Sequence, residues 1–207
     1  MHSQTATEER FNSLTHLLGT VAALIGLVFL IRQQTDPWKI VSFSIFGGTM
    51  VILYATSTIY HAMRGRAKRI LRKLDHLAIY TLIAGTYAPF TLVTLRNDWG
   101  WAAFVFVWIL AVLGIIIDLR PNPTGSRTIP VIIYLLMGWM ALFLAKPLLD
   151  HLPLTGFIWL VCGGLSYTLG LLFYGFDEKV RFFHAIWHLF VLSGSLMHYL
   201  AVYNFIA

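Results

Sequence analysis

The sequence predicts an all-α membrane protein, a seven-transmembrane-helix bundle that occupies the whole chain, residues 1–207, as one domain. Two observations carry that prediction. Of all residues 58% are hydrophobic and only 12% are charged, with a mean hydropathy of +0.73, whereas a soluble domain carries roughly 25% charged residues. The apolar residues also gather into seven runs, each close to the about 20 residues that cross a hydrocarbon core as a helix. What remains is short tails and loops, with no room for a second, soluble domain.

The first run, residues 14–31, follows a polar stretch that contains Glu8 and Glu9. No basic segment precedes it, so it reads as a retained anchor rather than a cleaved signal peptide. Asp36-Pro37 breaks the chain before the second run, 40–62. Arg64 to Lys73 reads as a basic loop before the third run, 74–95, and Asn97 and Asp98 turn the chain into the fourth, 99–117. Pro121-Asn122-Pro123-Thr124-Gly125 is loop by composition and precedes the fifth run, 129–146. Asp150 to Pro153 and Asp177 to Arg181 bound the last two, 155–174 and 183–204. Gly47, Gly48, Gly85, Gly163, Gly164 and Gly194 lie inside runs, where small residues let membrane helices approach closely. Trp38, Trp99, Trp101 and Trp159 fall near run ends, as an interfacial aromatic belt requires. Cys162 is the single cysteine, so no intramolecular disulfide forms.

Lysine and arginine set the orientation. With the N-terminus inside, eleven of the fifteen cations lie in inside segments, six of them between Arg64 and Lys73. The N-terminus is therefore expected in the cytoplasm and the C-terminus outside. The formal net charge of +6 reports this bias, and no nucleic-acid partner is expected.

Polar side chains at membrane depth are costly, so each asks for a reason. His184 and His188 are four apart at the start of the seventh run and share a helix face, a spacing that suits two imidazoles on one zinc ion and equally suits rings resting at the membrane interface. His61 ends the second run. In the expected orientation that end is cytoplasmic, as is the start of the seventh run, so His61, His184 and His188 occupy one layer. Three protein ligands with an open position is the catalytic form of a zinc site. Asp75 starts the third run in the same layer. It serves either as a carboxylate beside the metal or as a first-turn acid that stabilises the helix dipole, with Arg72 or Lys73 as a further partner. Ser57 lies one turn from His61 on the same face. Its hydroxyl either orients Asp75 and stabilises an oxyanion, or bonds back to its own helix.

Glu8, Asn12 and His16 recur at four-residue spacing, as a polar stripe facing the bundle or as a solvated turn beside the membrane. His76 points away from Asp75 and is left out of the site. His198 lies roughly 20 Å beyond His184 along the helix, too far to share a metal, and reads as packed or interfacial. His151 is placed in an outside loop, His2 in the tail, and Asp118 in an interfacial ion pair with Arg120. No lysine lies in 183–204, which excludes a retinal Schiff base there.

Ser57-Thr-Ile-Tyr-His61 resembles the S-x-x-x-H motif of the hemolysin III family, bacterial relatives of the progestin and adipoQ (adiponectin) receptors and of the alkaline ceramidases. Leu74-Asp75-His76 with Leu82-Ile-Ala-Gly-Thr-Tyr-Ala-Pro-Phe90 resembles the family's third-helix motif. His184-Ala-Ile-Trp-His188 through Ser193-Gly-Ser-Leu-Met-His198 resembles its seventh-helix motif, and Glu8-Glu9 with Asn12 and His16 its N-terminal signature. The resemblance implies a multi-pass protein of the bacterial inner (plasma) membrane. It implies zinc on His61, His184 and His188, with Asp75 contacting the zinc-bound water and Ser57 beside it. It further implies a hydrolase of membrane lipid amides or esters. The alternatives are a non-enzymatic membrane-homeostasis or sensor protein with structural zinc and a pore-forming cytolysin, the latter disfavoured because a chain this apolar is not soluble before insertion.

Overall fold

The computed structural model describes residues 4–121 and 126–207. The expectations for His2 and for the 122–125 part of the proline-rich loop fall outside these residues. Among the described residues the chain is helical, with no strand: α1 (Ala6–Ile31), α2 (Pro37–Ala62), α3 (Gly65–Pro89), α4 (Asp98–Leu119), α5 (Thr128–Trp139), α6 (Ala145–His151), α7 (Leu154–Phe176) and α8 (Phe183–Phe205). A π turn, Phe90–Thr94, extends α3, and a 3-10 turn, Met140–Leu144, joins α5 to α6. Seven segments are long and apolar enough to cross a membrane, with Thr128–His151 counting as one.

The polar separators of the sequence act as caps. Asp36 accepts from Trp38 N at 2.8 Å and Pro37 opens α2, a position where the missing N–H costs nothing. Asn97 accepts from Gly100 N at 3.0 Å to start α4. Thr5 and Glu8 form a reciprocal capping box on α1.

Two boundaries depart from the sequence expectation. The basic stretch is not a loop, because α3 already begins at Gly65, whose φ of +65° turns the chain out of α2. Arg, Lys and Leu are good helix formers, so the helix extends beyond its apolar run. Asp75 therefore lies ten residues past the helix start, which removes the first-turn dipole role. Lys73 is directed instead to Leu119 O at 3.2 Å.

The fifth span, expected as one unbroken run, breaks in the middle. Pro147 has no N–H, and its ring collides with the carbonyl of Phe143 four residues back, so the regular ladder is interrupted at Phe143, within the 3-10 turn Met140–Leu144. In hydrocarbon the freed carbonyls must find a donor within the protein. Tyr87 supplies it: its hydroxyl donates to Met137 O at 2.6 Å and to Gly138 O at 2.9 Å.

α1 packs along α2 and α8, α2 along α3, and α7 along α8. The α7–α8 crossing is close because both sides lack side chains. A Cβ on Gly163 would lie 2.5 Å from the His198 ring, and one on Gly194 would lie 3.0 Å from Gly163 O. Gly47 and Gly85 are likewise occluded, whereas Gly48 and Gly164 face open space, so the packing role holds for four of the six glycines. Between α3, α5, α7 and α8 the helices leave a cavity of about 200 Å³, far above the about 10–15 Å³ that one water needs.

Tyr87→Phe keeps the ring and removes the hydroxyl that donates to Met137 O and Gly138 O. Unfolding in detergent should show a loss of about 1–3 kcal/mol with helix content unchanged.

Candidate metal centre

His61 sits in the last turn of α2, and His184 and His188 in the first two turns of α8. They meet as the layer argument expects. Ring centroids are 5.1 Å apart for His61–His184, 5.1 Å for His61–His188 and 4.7 Å for His184–His188. One nitrogen from each lies within 4.8 Å of the others, so the three could hold a metal ion.

The other ring nitrogens show why these are suited to be ligands. His61 Nδ1 bonds the Glu9 carboxylate at 2.8 Å, His184 Nδ1 bonds Asp177 at 2.6 Å, and His188 Nδ1 lies 3.2 Å from Thr15 Oγ1. An imidazole that gives its Nδ1 proton to a carboxylate keeps a bare lone pair on Nε2, in a fixed ring orientation. The Nε2 atoms of His61 and His184 are buried with no hydrogen-bond partner. Leaving such a nitrogen unpaired costs about 1–3 kcal/mol, and a shared metal ion removes that cost.

Asp75 and Ser57 line the cavity together with His184 and His188. Asp75 is buried at 8% exposure, with Ser57 and His184 close enough to influence its charge. Ser57 is buried with its hydroxyl within reach of the Asp75 carboxylate, and the alternative of a bond back to its own helix is not made. Its neighbour Thr58 makes that kind of bond, to Tyr54 O at 2.7 Å.

Glu8, Asn12 and His16 are all buried, which selects the stripe over the solvated turn. His16 stacks face to face on His188, centroids 3.6 Å apart and planes 9° from parallel. Glu8 accepts from Phe182 N at 2.9 Å. Phe182 has φ +62°, a conformation costly for a bulky residue, and it launches α8. The Glu8 carboxylate thus braces the strained residue that aims His184.

Four side chains were missed by the sequence reading. Glu9, Asp177 and Thr15 orient the histidines. Their signal in the sequence was weak, since Asp177 is a loop acid and Thr15 one hydroxyl in an apolar run. The fourth is Arg127. Asp118 does not pair with Arg120, which projects outward from the end of α4. Arg127 folds back across that end and grips Asp118 with two hydrogen bonds of 2.5 and 3.0 Å, while also donating to the hydroxyls of Tyr134 and Tyr174 at 3.1 and 3.3 Å. His76, left out of the site by the sequence, lines the cavity too. His151 is exposed at the end of α6 and His198 is buried at 7% exposure, packed rather than interfacial.

A seven-helix membrane bundle with a buried three-histidine cluster at one end is the class this geometry defines. The chain belongs to the haemolysin-III related family, whose model matches residues 4–199. It is 41% identical over 202 residues to the hemolysin-3 homolog of Bacillus subtilis (strain 168), covering 96% of this chain and 94% of that protein. It is 30% identical over 216 residues to the human monocyte to macrophage differentiation factor, covering 99% and 87%. It is also 28% identical over 227 residues to the adiponectin receptor protein of Drosophila melanogaster, covering 92% of this chain and 49% of the receptor.

Glu9→Gln and Asp177→Asn leave every histidine in place and remove the carboxylates that orient two of them. Each should weaken metal affinity about 10–100-fold in a chelator competition with zinc, whereas a change at exposed Arg120 should not alter it.

Proposed function

We propose that this protein is a zinc-dependent hydrolase of an amide or ester bond in a membrane lipid, with its site at the cytoplasmic face of the bacterial inner membrane. One observation carries the reading. His184 and His188 of the histidine cluster, with Asp75 and Ser57, border one apolar cavity large enough for an organic ligand, and His61 completes the cluster behind them. His61, His184 and His188 would hold the zinc. The donor set of three neutral imidazoles suits zinc, although other transition metals also take imidazole.

When bound, zinc supplies a Lewis acid and a water acidified toward about pKa 7. Asp75, on the same cavity wall, would take a proton from the attacking water and return it to the leaving group. Ser57 lines the same cavity beside Asp75, where its hydroxyl would orient Asp75 or donate to a carbonyl oxygen as charge develops. The apolar walls exclude water and receive an acyl chain, which favours a lipid over a water-soluble substrate.

The alternative is a membrane-homeostasis or sensor protein in which the metal ties α2 to α8. A purely structural site closes with four protein ligands. Three side chains converge among the described residues, with Asp75 on the cavity that His184 and His188 also line, which favours chemistry.

Metal analysis should give about one zinc per chain in the purified protein and none in the His61→Ala/His184→Ala/His188→Ala triple variant. Asp75→Asn should retain the zinc, while hydrolysis of long-chain N-acyl amides and esters in nanodiscs falls at least about a hundredfold. Turnover at the parental rate in Asp75→Asn, or in a folded His188→Ala, would remove the hydrolase reading.

A further inference from the structure

The cavity continues past the histidine cluster along α8, and its far part carries polar groups that the chemistry above does not use. Next to the cluster the wall is apolar, with Leu53, Leu82, Ile83 and Val191 among the lining residues. Beyond it, His198 and Tyr167 line the same cavity. His198 lies ten residues after His188 on one helix, roughly 15 Å further along the axis.

The hydrogen bonds fix what His198 offers. Its Nε2 lies 3.1 Å from Leu160 O. A carbonyl oxygen only accepts, so Nε2 carries the proton and donates. In the neutral ring, Nδ1 then bears a lone pair and is an acceptor. That atom is buried and has no protein partner. The ring is held in place by close approach to Gly163, where a Cβ would meet its Nε2 at 2.5 Å, and by Tyr167, with ring centroids 5.4 Å apart.

Tyr167 supplies the complement. Tyr54 Oη donates to Ser195 Oγ at 2.5 Å, and Ser195 Oγ lies 2.7 Å from Tyr167 Oη. With its oxygen already accepting from Tyr54, Ser195 can give its own proton to Tyr167, which leaves the Tyr167 O–H free to donate. An acceptor on His198 and a donor on Tyr167, on rings 5.4 Å apart that line one cavity, match a hydroxyl, which both donates and accepts.

We propose that the cavity holds a second polar subsite, formed by His198 and Tyr167, that recognises a hydroxyl group carried partway along a lipid chain. The proposal rests on the reading of the cavity as an acyl chamber and deepens it, naming the lipid class as hydroxylated. It needs no turnover, since the subsite acts through binding and through the register in which the chain lies.

The test is equilibrium binding to the zinc-loaded protein in nanodiscs. The probes are octadecanoic acid and its monohydroxy positional isomers, each displacing the others and read by native mass spectrometry. A net hydrogen bond of about 0.5–1.5 kcal/mol corresponds to about a two- to tenfold change in affinity. One narrow window of hydroxyl positions should therefore bind about two- to tenfold more tightly than the unsubstituted acid. The window should vanish in His198→Phe and shrink in Tyr167→Phe, with the affinity for octadecanoic acid itself within about twofold of the parent. A flat profile across all isomers, with binding retained, would overturn the second subsite alone and mean that water serves Nδ1. Failure of every acid to bind would overturn the acyl-chamber reading and this proposal with it. The positional scan needs no variant, so it decides the matter even if His198→Phe does not fold.

Discussion

In a hydrocarbon surrounding, a polar atom is hydrogen-bonded by the protein or left unpaired at a cost of several kcal/mol. Most of this fold can be understood as a response to that constraint. Where Pro147 breaks the fifth span, the freed carbonyls of Met137 and Gly138 are met by Tyr87 from α3. Where α8 begins at a left-handed Phe182, its N–H is met by Glu8. Arg127, at the start of the fifth span, is surrounded by Asp118, Tyr134 and Tyr174, so one guanidinium joins α4, α5 and α7. Each of these contacts fastens one helix to another, and the polar bonds fix the relative positions that apolar faces alone leave free.

Some buried polar atoms have no partner, among them both nitrogens of His16, Tyr80 Oη and Trp108 Nε1, and four others stand at the cavity or the histidine cluster. His61 Nε2, His184 Nε2, Ser57 Oγ and His198 Nδ1 are all buried and unpaired. All four belong to side chains that border the cavity or converge on the metal cluster at its end. The opposite nitrogens of the three histidines are satisfied by Glu9, Asp177 and Leu160. Satisfying one edge of each ring while leaving the other bare gives a rigid ring with a directed lone pair, the arrangement a metal ion or a ligand hydroxyl can use.

Much of this was legible in the sequence. Seven apolar runs gave seven spans, and the separators at Asp36 and Asn97 became caps because short polar side chains satisfy the orphan N–H groups of a helix start. The layer containing His61, His184 and His188 followed from charge bias and helix direction, and the three rings do meet. What was not legible depends on tertiary packing. Glu9 reaches His61 only because α1 lies along α2, and Asp177 reaches His184 only because the turn after α7 folds back. Arg127 displaced Arg120 as the partner of Asp118 for the same reason. The start of α3 was misplaced because charge was read as loop, although charged residues that are good helix formers continue a helix beyond the membrane. Pro147 carried a local signal for the broken fifth span, but it fell just past the apolar run 129–146 and was not used.

The cavity links these elements to function. An apolar wall discriminates chains by volume, and one methylene is worth only about 1–3 kcal/mol. Such a wall does not fix how far a flexible chain slides along it. Catalysis needs the scissile carbonyl held within about 3–3.5 Å of the attacking group, and sliding defeats that. In the proposed reading, anchors at both ends would solve the problem: the histidine cluster with Asp75 at one end, and the acceptor of His198 with the hydroxyl of Tyr167 roughly 15 Å away. The distance between them is set by α8, a single uninterrupted helix that carries both His188 and His198. Under the proposed hydrolase reading, a rigid helix would act as a ruler, converting the position of a hydroxyl on a lipid into the placement of the bond to be broken.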